Sequence, residues 1–300
     1  MKVPMQAGTI PPPAAEPEDG LVVRRNSLVR ALKSLLASTH PFLPDAIYRP
    51  LYNVAFRSYK GVLRLLYSRH IFYHFVFGNR VNLTRAKLVH RIMPYSLVGS
   101  SGLDATFDAA SDLIARGIPG DFIECGVAQG GCSALMATVA GTDPQGRRMW
   151  LFDSFQGLPD PTDKDFDQRK ELTGEHIRPL VRGSCLGTKD QVEALLFSKF
   201  GLDRDSVCLV EGWFQDTLPI YKDRIGQIAL LRIDGDWYES TLCCLENLYG
   251  LVSPGGWIII DDYGVCFGCK KAVHEFLDSI GLNPQLNPDG RGGVLFCKPS

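Results

Sequence analysis

Two short apolar runs limit what this 300-residue chain can fold into more than any other feature: Ile228-Ala-Leu-Leu-Arg-Ile233 and Trp257-Ile-Ile-Ile260. Runs of this length and hydrophobicity read as strands covered on both faces, as in a parallel sheet. The first stops in Asp234-Gly235-Asp236 and the second in Asp261-Asp262. Open α/β sheets bind their ligands at the carboxyl ends of such strands. Neighbouring strands lie only about 4.8 Å apart, so adjacency of these two would crowd three or four carboxylates into one small volume. Like charges that close are relieved by a hard cation or by a shared proton. The pattern therefore predicts a metal site, an acid/base site, or both. Capping of the next helix accounts for one or two of these acids but not for four. Arg232 is expected to point away from them by strand alternation or to pair elsewhere, leaving them no basic partner.

From Pro94 onward the pattern alternates between strand and helix. Strands are expected at Asp121–Cys125, Arg148–Phe152, Val207–Glu211, Ile228–Ile233 and Trp257–Ile260. Helices are expected at Ala105–Ala115, Gly131–Ala140, Lys189–Phe200, Tyr238–Tyr249 and Cys269–Leu277. Leu282–Leu286 and Val294–Lys298, joined by Asn287-Pro-Asp-Gly-Arg-Gly-Gly293, read as a closing antiparallel hairpin. Successive βα units with one reversed strand describe an α/β domain. The polar stretch Asp160–Arg182 is long enough to suggest an active-site lid.

The first 93 residues differ in character. Residues 1–20 are rich in Pro, Ala and Glu and are expected to be disordered, because they cannot bury enough surface to offset the entropy of ordering. Residues 21–93 form a helical extension with thirteen Lys/Arg and a single acid, Asp45. Residues 94–300, the expected catalytic domain, carry eighteen Lys/Arg against twenty-nine Asp/Glu, so a net charge of −1 hides a strong asymmetry. Two readings of the basic, aromatic extension stay open. It packs on the catalytic domain or a second subunit of a homo-oligomer, or it docks on an anionic membrane. No nucleic-acid-binding motif accompanies it.

Nine cysteines, an odd number, have no extracellular framework spacing. With no secretory signal they favour a reducing, cytoplasmic setting. Cys266-Phe-Gly-Cys269 is a lone C-x-x-C without the second pair that zinc needs. No apolar run approaches the roughly 20 residues of a membrane span.

Three further constellations carry chemistry. Phe122-Ile-Glu124-Cys-Gly126-Val-Ala-Gln-Gly130-Gly131-Cys-Ser133 is a strand ending in an acid, a glycine turn and a helix start. Such a turn lets the backbone approach a ligand and offers free N–H groups. It is not G-x-G-x-x-G, and an acid ahead of the glycines suits a ligand with an ammonium group and a positive centre. Trp150-Leu-Phe-Asp153-Ser-Phe-Gln-Gly-Leu-Pro159 ends the second strand in an acid, where ribose hydroxyls are commonly bound, although an N-cap is the plainer reading. Val210-Glu-Gly212-Trp213-Phe214-Gln-Asp216-Thr-Leu-Pro219 either flanks an adenine or is a turn closed by a packed Trp.

Together with Pro94-Tyr-Ser-Leu-Val-Gly99, Ile233-Asp-Gly-Asp-Trp-Tyr-Glu-Ser240 and Ile260-Asp-Asp-Tyr-Gly264, these blocks resemble the macrocin O-methyltransferase family over about residues 94–298. That family consists of magnesium- and S-adenosylmethionine-dependent enzymes acting on sugar hydroxyls. The resemblance implies a Rossmann-like methyltransferase fold, a seven-stranded mostly parallel sheet with a C-terminal antiparallel hairpin. It implies that Glu124, Gly126 and Ser133 hold the methionine end of S-adenosylmethionine and that Tyr95, Ser96 and Leu97 cover it. Asp153 would bind the ribose, and Gly212, Trp213 and Asp234 would complete the cofactor site. Asp234, Asp261 and Asp262 would bind Mg²⁺, and Asp236 would take the proton from a glycosyl or other vicinal-diol acceptor. His176 and Tyr263 are weaker candidates near the acceptor. A nicotinamide-dependent oxidoreductase on the same sheet, and a membrane-peripheral scaffold with a degenerate methyltransferase domain, are the competing readings.

Overall fold

The computed structural model describes residues 45–166 and 179–299, with backbone only for residues 45–57 and 59. The expected tail at residues 1–20, the start of the extension, the middle of the expected lid and His176 lie outside the described residues. The chain divides into two compact units, Met1–Lys60 and Gly61–Ser300. The second contains the whole sheet together with residues 61–93.

The sheet has seven strands: β1 (Asp121–Cys125), β2 (Met149–Asp153), β3 (Val207–Glu211), β4 (Ile228–Ile233), β5 (Val252–Ile260), β6 (Asn287–Pro288) and β7 (Val294–Cys297). Their order is β3-β2-β1-β4-β5-β7-β6, with β7 antiparallel to β5 and the first five strands parallel. The α/β Rossmann-like class expected from the sequence is the class found. The reversed strand pairs as expected too, but its hairpin partner is only Asn287–Pro288. Leu282–Leu286 forms no strand, and Leu282 and Leu286 pack instead against the core.

Helices α1 (Asp45–Val76), α2 (Arg80–Ile92), α3 (Ser100–Ala115) and α4 (Gly131–Ala140) precede β2. Following it are α5 (Lys189–Glu193, continued by a π-helical turn at Ala194–Lys199), α6 (Phe214–Ile225), α7 (Tyr238–Leu248) and α8 (Phe267–Ser279). Helix α6 replaces the turn or adenine flank expected at residues 210–219, and Pro219 sits inside its first half. At the sixth helical position its missing N–H forfeits the bond to the Gln215 carbonyl, a cost the packing of the helix must offset.

Alternation decides what each face of the sheet carries. Ile123, Leu231, Ile233, Ile258 and Ile260 belong to the core cluster shared with Leu245 and Leu248 of α7 and Val273 and Phe276 of α8. The intervening residues Glu124, Arg232 and Ile259 align across β1, β4 and β5 and therefore share the opposite face, where Ser133 of α4 meets Glu124. The strand order reverses between β1 and β4. That is the topological switch point, where a crevice opens beyond the carboxyl ends.

The crevice depends on Gly126, whose φ is +94°. A Cβ there would lie 1.8 Å from the carbonyl oxygen of Asp234. Only glycine lets the chains leaving β1 and β4 run this close. The backbone bonds Asp234 N–H to Cys125 O (2.8 Å) and Gly126 N–H to Phe152 O (2.9 Å) fix the approach.

Candidate active site

A cavity of about 580 Å³ opens at the switch point, within the range of small-ligand sites. The ends of β1, β2, β3, β4 and β5 contribute Gly126, Asp153, Gly212, Asp234 and Asp261, and Arg291 enters from the loop between β6 and β7. Backbone strain gathers here. Among the described residues four non-glycines have left-handed φ, and three of them, Ala128 (45°), Cys185 (60°) and Asp236 (54°), line the cavity. Each such residue costs about 1–3 kcal/mol, so the surrounding structure must hold it in place.

Of the residues expected to contact a cofactor, Leu97, Gly126, Asp153, Gly212, Trp213 and Asp234 line the cavity; Tyr95, Ser96, Glu124 and Ser133 do not. Asp153 accepts hydrogen bonds from the N–H groups of Val127 (2.7 Å), Ala128 (3.0 Å) and Phe155 (2.6 Å). Burial raises its pKa and these donors pull it back. Asp153 is therefore first the post that shapes the glycine turn. The Ser96 hydroxyl accepts from Val98 N–H (3.0 Å), and the backbone at Tyr95–Ser96 seats on Gly131, where a Cβ would lie 2.5 Å from Tyr95 O. The Tyr95 ring lies under the Lys199 ammonium, 4.3 Å from its centroid.

The acids at the strand ends do converge. Asp234, Asp261 and Asp262 each present an oxygen within 4.8 Å of the others, and Asp236, Asp262 and the Cys266 thiol form a second such group. The expectation that no basic partner stands beside them is overturned. Arg232, fully buried, donates to Asp234 (2.9 Å) and Asp261 (2.6 Å) and pairs with Glu124 (3.3 Å). The physical reason is the alternation itself. Residues i and i+2 of a strand share a face, so Arg232 points with Asp234, not away from it. Register adds Glu124 from β1 beside it, and the step from Ile259 adds Asp261.

A second cation, Arg291, was not legible at all. It bonds Asp261 at 2.5 Å and the Leu97 carbonyl at 3.3 Å, and nothing distinguishes it in sequence from any arginine in a glycine turn. Asp289 shapes that turn by accepting from the N–H groups of residues 291, 292 and 293 (2.7, 3.0 and 2.9 Å).

Charge is now divided unevenly. Burial opposes ionisation of Asp261, but Arg232 and Arg291 together hold its pKa below the usual carboxylate value. Asp234 is pushed up to about 6 by burial and by repulsion from Asp261. Asp236 is pushed up to about 8 by burial and by Asp234 and Asp261. Asp262 is likewise raised well above the usual carboxylate value, by burial and by Asp236. Glu124, also buried, rises to about 7 despite Arg232 and the Ser133 hydroxyl. Five carboxylates thus share two guanidinium groups. Asp262 Oδ2 is buried and has no hydrogen-bond partner. An all-oxygen donor set with surplus negative charge and an unpartnered oxygen fits a hard divalent cation.

The beginning of the expected lid is anchored. Asp165 is buried and accepts from Tyr238 N–H at the start of α7 (2.7 Å) and from Thr162 N–H (2.8 Å). Tyr263 does not line the cavity; its hydroxyl is 2.8 Å from the His274 ring.

Comparison with known proteins agrees with this architecture. The family profile described as Macrocin-O-methyltransferase (TylF) matches residues 83–298. Among curated proteins, the 8-demethyl-8-(2,3-dimethoxy-alpha-L-rhamnosyl)-tetracenomycin-C 4'-O-methyltransferase of Streptomyces olivaceus is 38% identical over 204 residues, covering 67% of this chain and 75% of that protein. Demethyldecarbamoylnovobiocin O-methyltransferase of Streptomyces niveus is 35% identical, again over 67% of this chain and 75% of its own length. Among solved structures, the O-methyltransferase NovP superposes with a TM-score of 0.60 at 33% identity, covering 69% of this chain and 83% of that one.

Proposed function

The chain belongs to the macrocin O-methyltransferase family, and from that premise we propose that it is a Mg²⁺-dependent enzyme transferring a methyl group from S-adenosylmethionine to a hydroxyl of a sugar or other vicinal-diol acceptor. The observation that carries the reading is the convergence of Asp234, Asp261 and Asp262 around a buried, unpartnered carboxylate oxygen, with Asp236 beside them. Sugar acceptors are supported by the names of the relatives, among them a mycinamicin III 3''-O-methyltransferase of Micromonospora griseorubida.

Asp234, Asp261 and Asp262 would hold the cation. A bound Mg²⁺ supplies Lewis-acid polarisation that lowers the pKa of a hydroxyl. Arg232, held by Glu124 through Nε, orients Asp234 and Asp261 from behind through Nη2, while its buried Nη1 has no hydrogen-bond partner. Leu97, Gly126, Asp153, Gly212 and Trp213 form the wall for the methyl donor. Glu124, Ser133, Tyr95 and Ser96 stand behind that wall.

Asp236 is the general base. Its left-handed backbone turns the carboxylate into the cavity, and its raised pKa matches a proton acceptor working near neutrality. The acceptor oxygen bonds to the methyl carbon as the carbon–sulfur bond of the sulfonium breaks. The hydroxyl proton passes to Asp236 and the thioether leaves. Holding the two reactants in line supplies much of the acceleration.

The test is a methyl-transfer screen over glycosylated and diol acceptors with labelled donor, with and without EDTA. Turnover that survives chelation removes the metal assignment. Full activity in Asp261→Ala removes the residue assignment. Stabilisation by a nicotinamide dinucleotide but not by S-adenosylhomocysteine would point back to the oxidoreductase reading.

A further inference from the structure

Eight of the fourteen exposed large hydrophobic residues among those described fall between residues 62 and 81: Val62, Leu65, Phe72, Tyr73, Phe75, Val76, Phe77 and Val81. Val62, Leu65, Arg69, Phe72 and Val76 follow one another at three- and four-residue spacing along α1, so they lie on one face. Phe72 and Phe75 are 69% and 71% exposed, Phe77 75%. The opposite side of the helix is the packed one, where the buried Tyr67 hydroxyl reaches Asp104 of α3 at 3.2 Å. Isolated exposed apolar residues need no explanation, but six on one helix, continued by Phe77 in the following turn and Val81 on α2, mark an interaction surface.

Charge identifies the occupant. Residues 61–93 contain six Lys/Arg and no Asp or Glu. Arg85 is spent on Asp104 and Asp108, and Arg91 on the Lys199 carbonyl. Arg64, Arg69, Arg80 and Lys87 remain exposed. A second copy apposing the same face would bring Arg69 towards its own equivalent with no acid to offset it. A surface of anionic lipid headgroups matches both properties: it offers negative charge to the arginines and an acyl boundary to the phenylalanines.

We infer that the Val62–Val81 surface docks the protein on an anionic lipid bilayer, α1 lying along the headgroup plane with Leu65, Phe72 and Val76 inserted. Each basic residue at such a surface contributes roughly fivefold to binding, so Arg64, Arg69 and Arg80 together are worth on the order of a hundredfold.

The experiment is co-sedimentation of the full chain with vesicles of phosphatidylglycerol and phosphatidylcholine or of phosphatidylcholine alone. Salt is raised from about 0.1 M, where the screening length is about 10 Å, to about 1 M, where it is about 3 Å. Binding to the anionic vesicles only, weakened at least about tenfold by salt, is expected. Phe72→Glu with Phe75→Glu should abolish it, and Arg64→Gln with Arg69→Gln should weaken it roughly 25-fold. All four side chains are exposed, so both variants should keep the thermal midpoint of the parent. Absence of binding, or binding insensitive to headgroup charge, overturns the inference. So does a concentration-dependent dimer that Phe72→Glu with Phe75→Glu dissociates while the parent ignores vesicles; the face would then belong to a second copy.

Discussion

Replacing Arg232 by Met tests the network beneath the site most directly. The side chains have similar volume, so the change removes charge and hydrogen bonds while opening little space. Three carboxylates lose their shared partner: Asp261 at 2.6 Å, Asp234 at 2.9 Å and Glu124 at 3.3 Å. Removing one member of a buried ion pair costs about 3–5 kcal/mol, because the charge left behind has neither water nor a counter-ion. For a unit of this size each kcal/mol moves the midpoint by about 2–4 °C, which predicts a fall of about 6–20 °C. The loss should depend on pH with a definite sign. Glu124 and Asp234 already have raised pKa values, about 7 and about 6, and losing Arg232 raises them further. An acid whose folded pKa is raised adds stability at low pH and loses it as pH climbs through that value. The variant should therefore lie closer to the parent at pH 5 than at pH 8. Glu124→Gln added to Arg232→Met should recover part of the loss by removing one orphaned charge. Thermal and urea unfolding of the metal-free protein at both pH values measure all of this. A deficit under about 1 kcal/mol at pH 8, or one that shrinks as pH rises, refutes the assignment of Arg232 as the counter-charge of the site.

Further outcomes follow from the same geometry. Gly126→Ala puts a Cβ 1.8 Å from the Asp234 carbonyl and should cost more than about 1 kcal/mol, read by urea unfolding; a neutral variant would mean that β1 and β4 can separate. Asp236→Asn should lower kcat by about 10²–10⁴ while S-adenosylhomocysteine still raises the thermal midpoint as in the parent; loss of that ligand shift would make Asp236 a binding residue instead. Mg²⁺ should stabilise the protein more at pH 8 than at pH 6, since Asp234 is protonated below about 6, burial raises Asp262 as well, and cation binding must displace those protons; a thermal shift independent of pH counts against carboxylate ligation there. Asp165→Ala should release the segment before α7 and raise KM for the acceptor more than it changes the thermal midpoint, because Asp165 anchors Tyr238 N–H and Thr162 without lying in the sheet.

Much of the fold was readable because parallel strands must be covered on both faces. Ile228–Ile233 and Trp257–Ile260 advertise that burial, and each glycine turn or acid at a strand end reports a crevice behind it. The strand ends of β1, β2 and β3 could be marked as ligand-facing on the same grounds. The parts that were misread share one cause: they depend on which residues meet across a distance in sequence. Residues 210–219 read as an adenine flank or a turn closed by a packed Trp, where a helix starts at Phe214, because local propensity is overridden once α6 packs on β2 and α7. Arg232 was expected to point away from the acids, yet it shares their face, and register sets Glu124 of β1 beside it.

The sequence by itself determined that this chain builds a mostly parallel α/β sheet and that acids stand at the ends of its strands, since hydrophobic runs and period-two alternation are local properties. Only the tertiary structure decided how those acids are charged. Arg232 is brought under them by the registers of β1, β4 and β5, and Arg291 arrives from a loop thirty residues beyond Asp261. A carboxylate's protonation depends on burial and on the distance to every neighbouring charge. Those distances exist only once the strands are side by side.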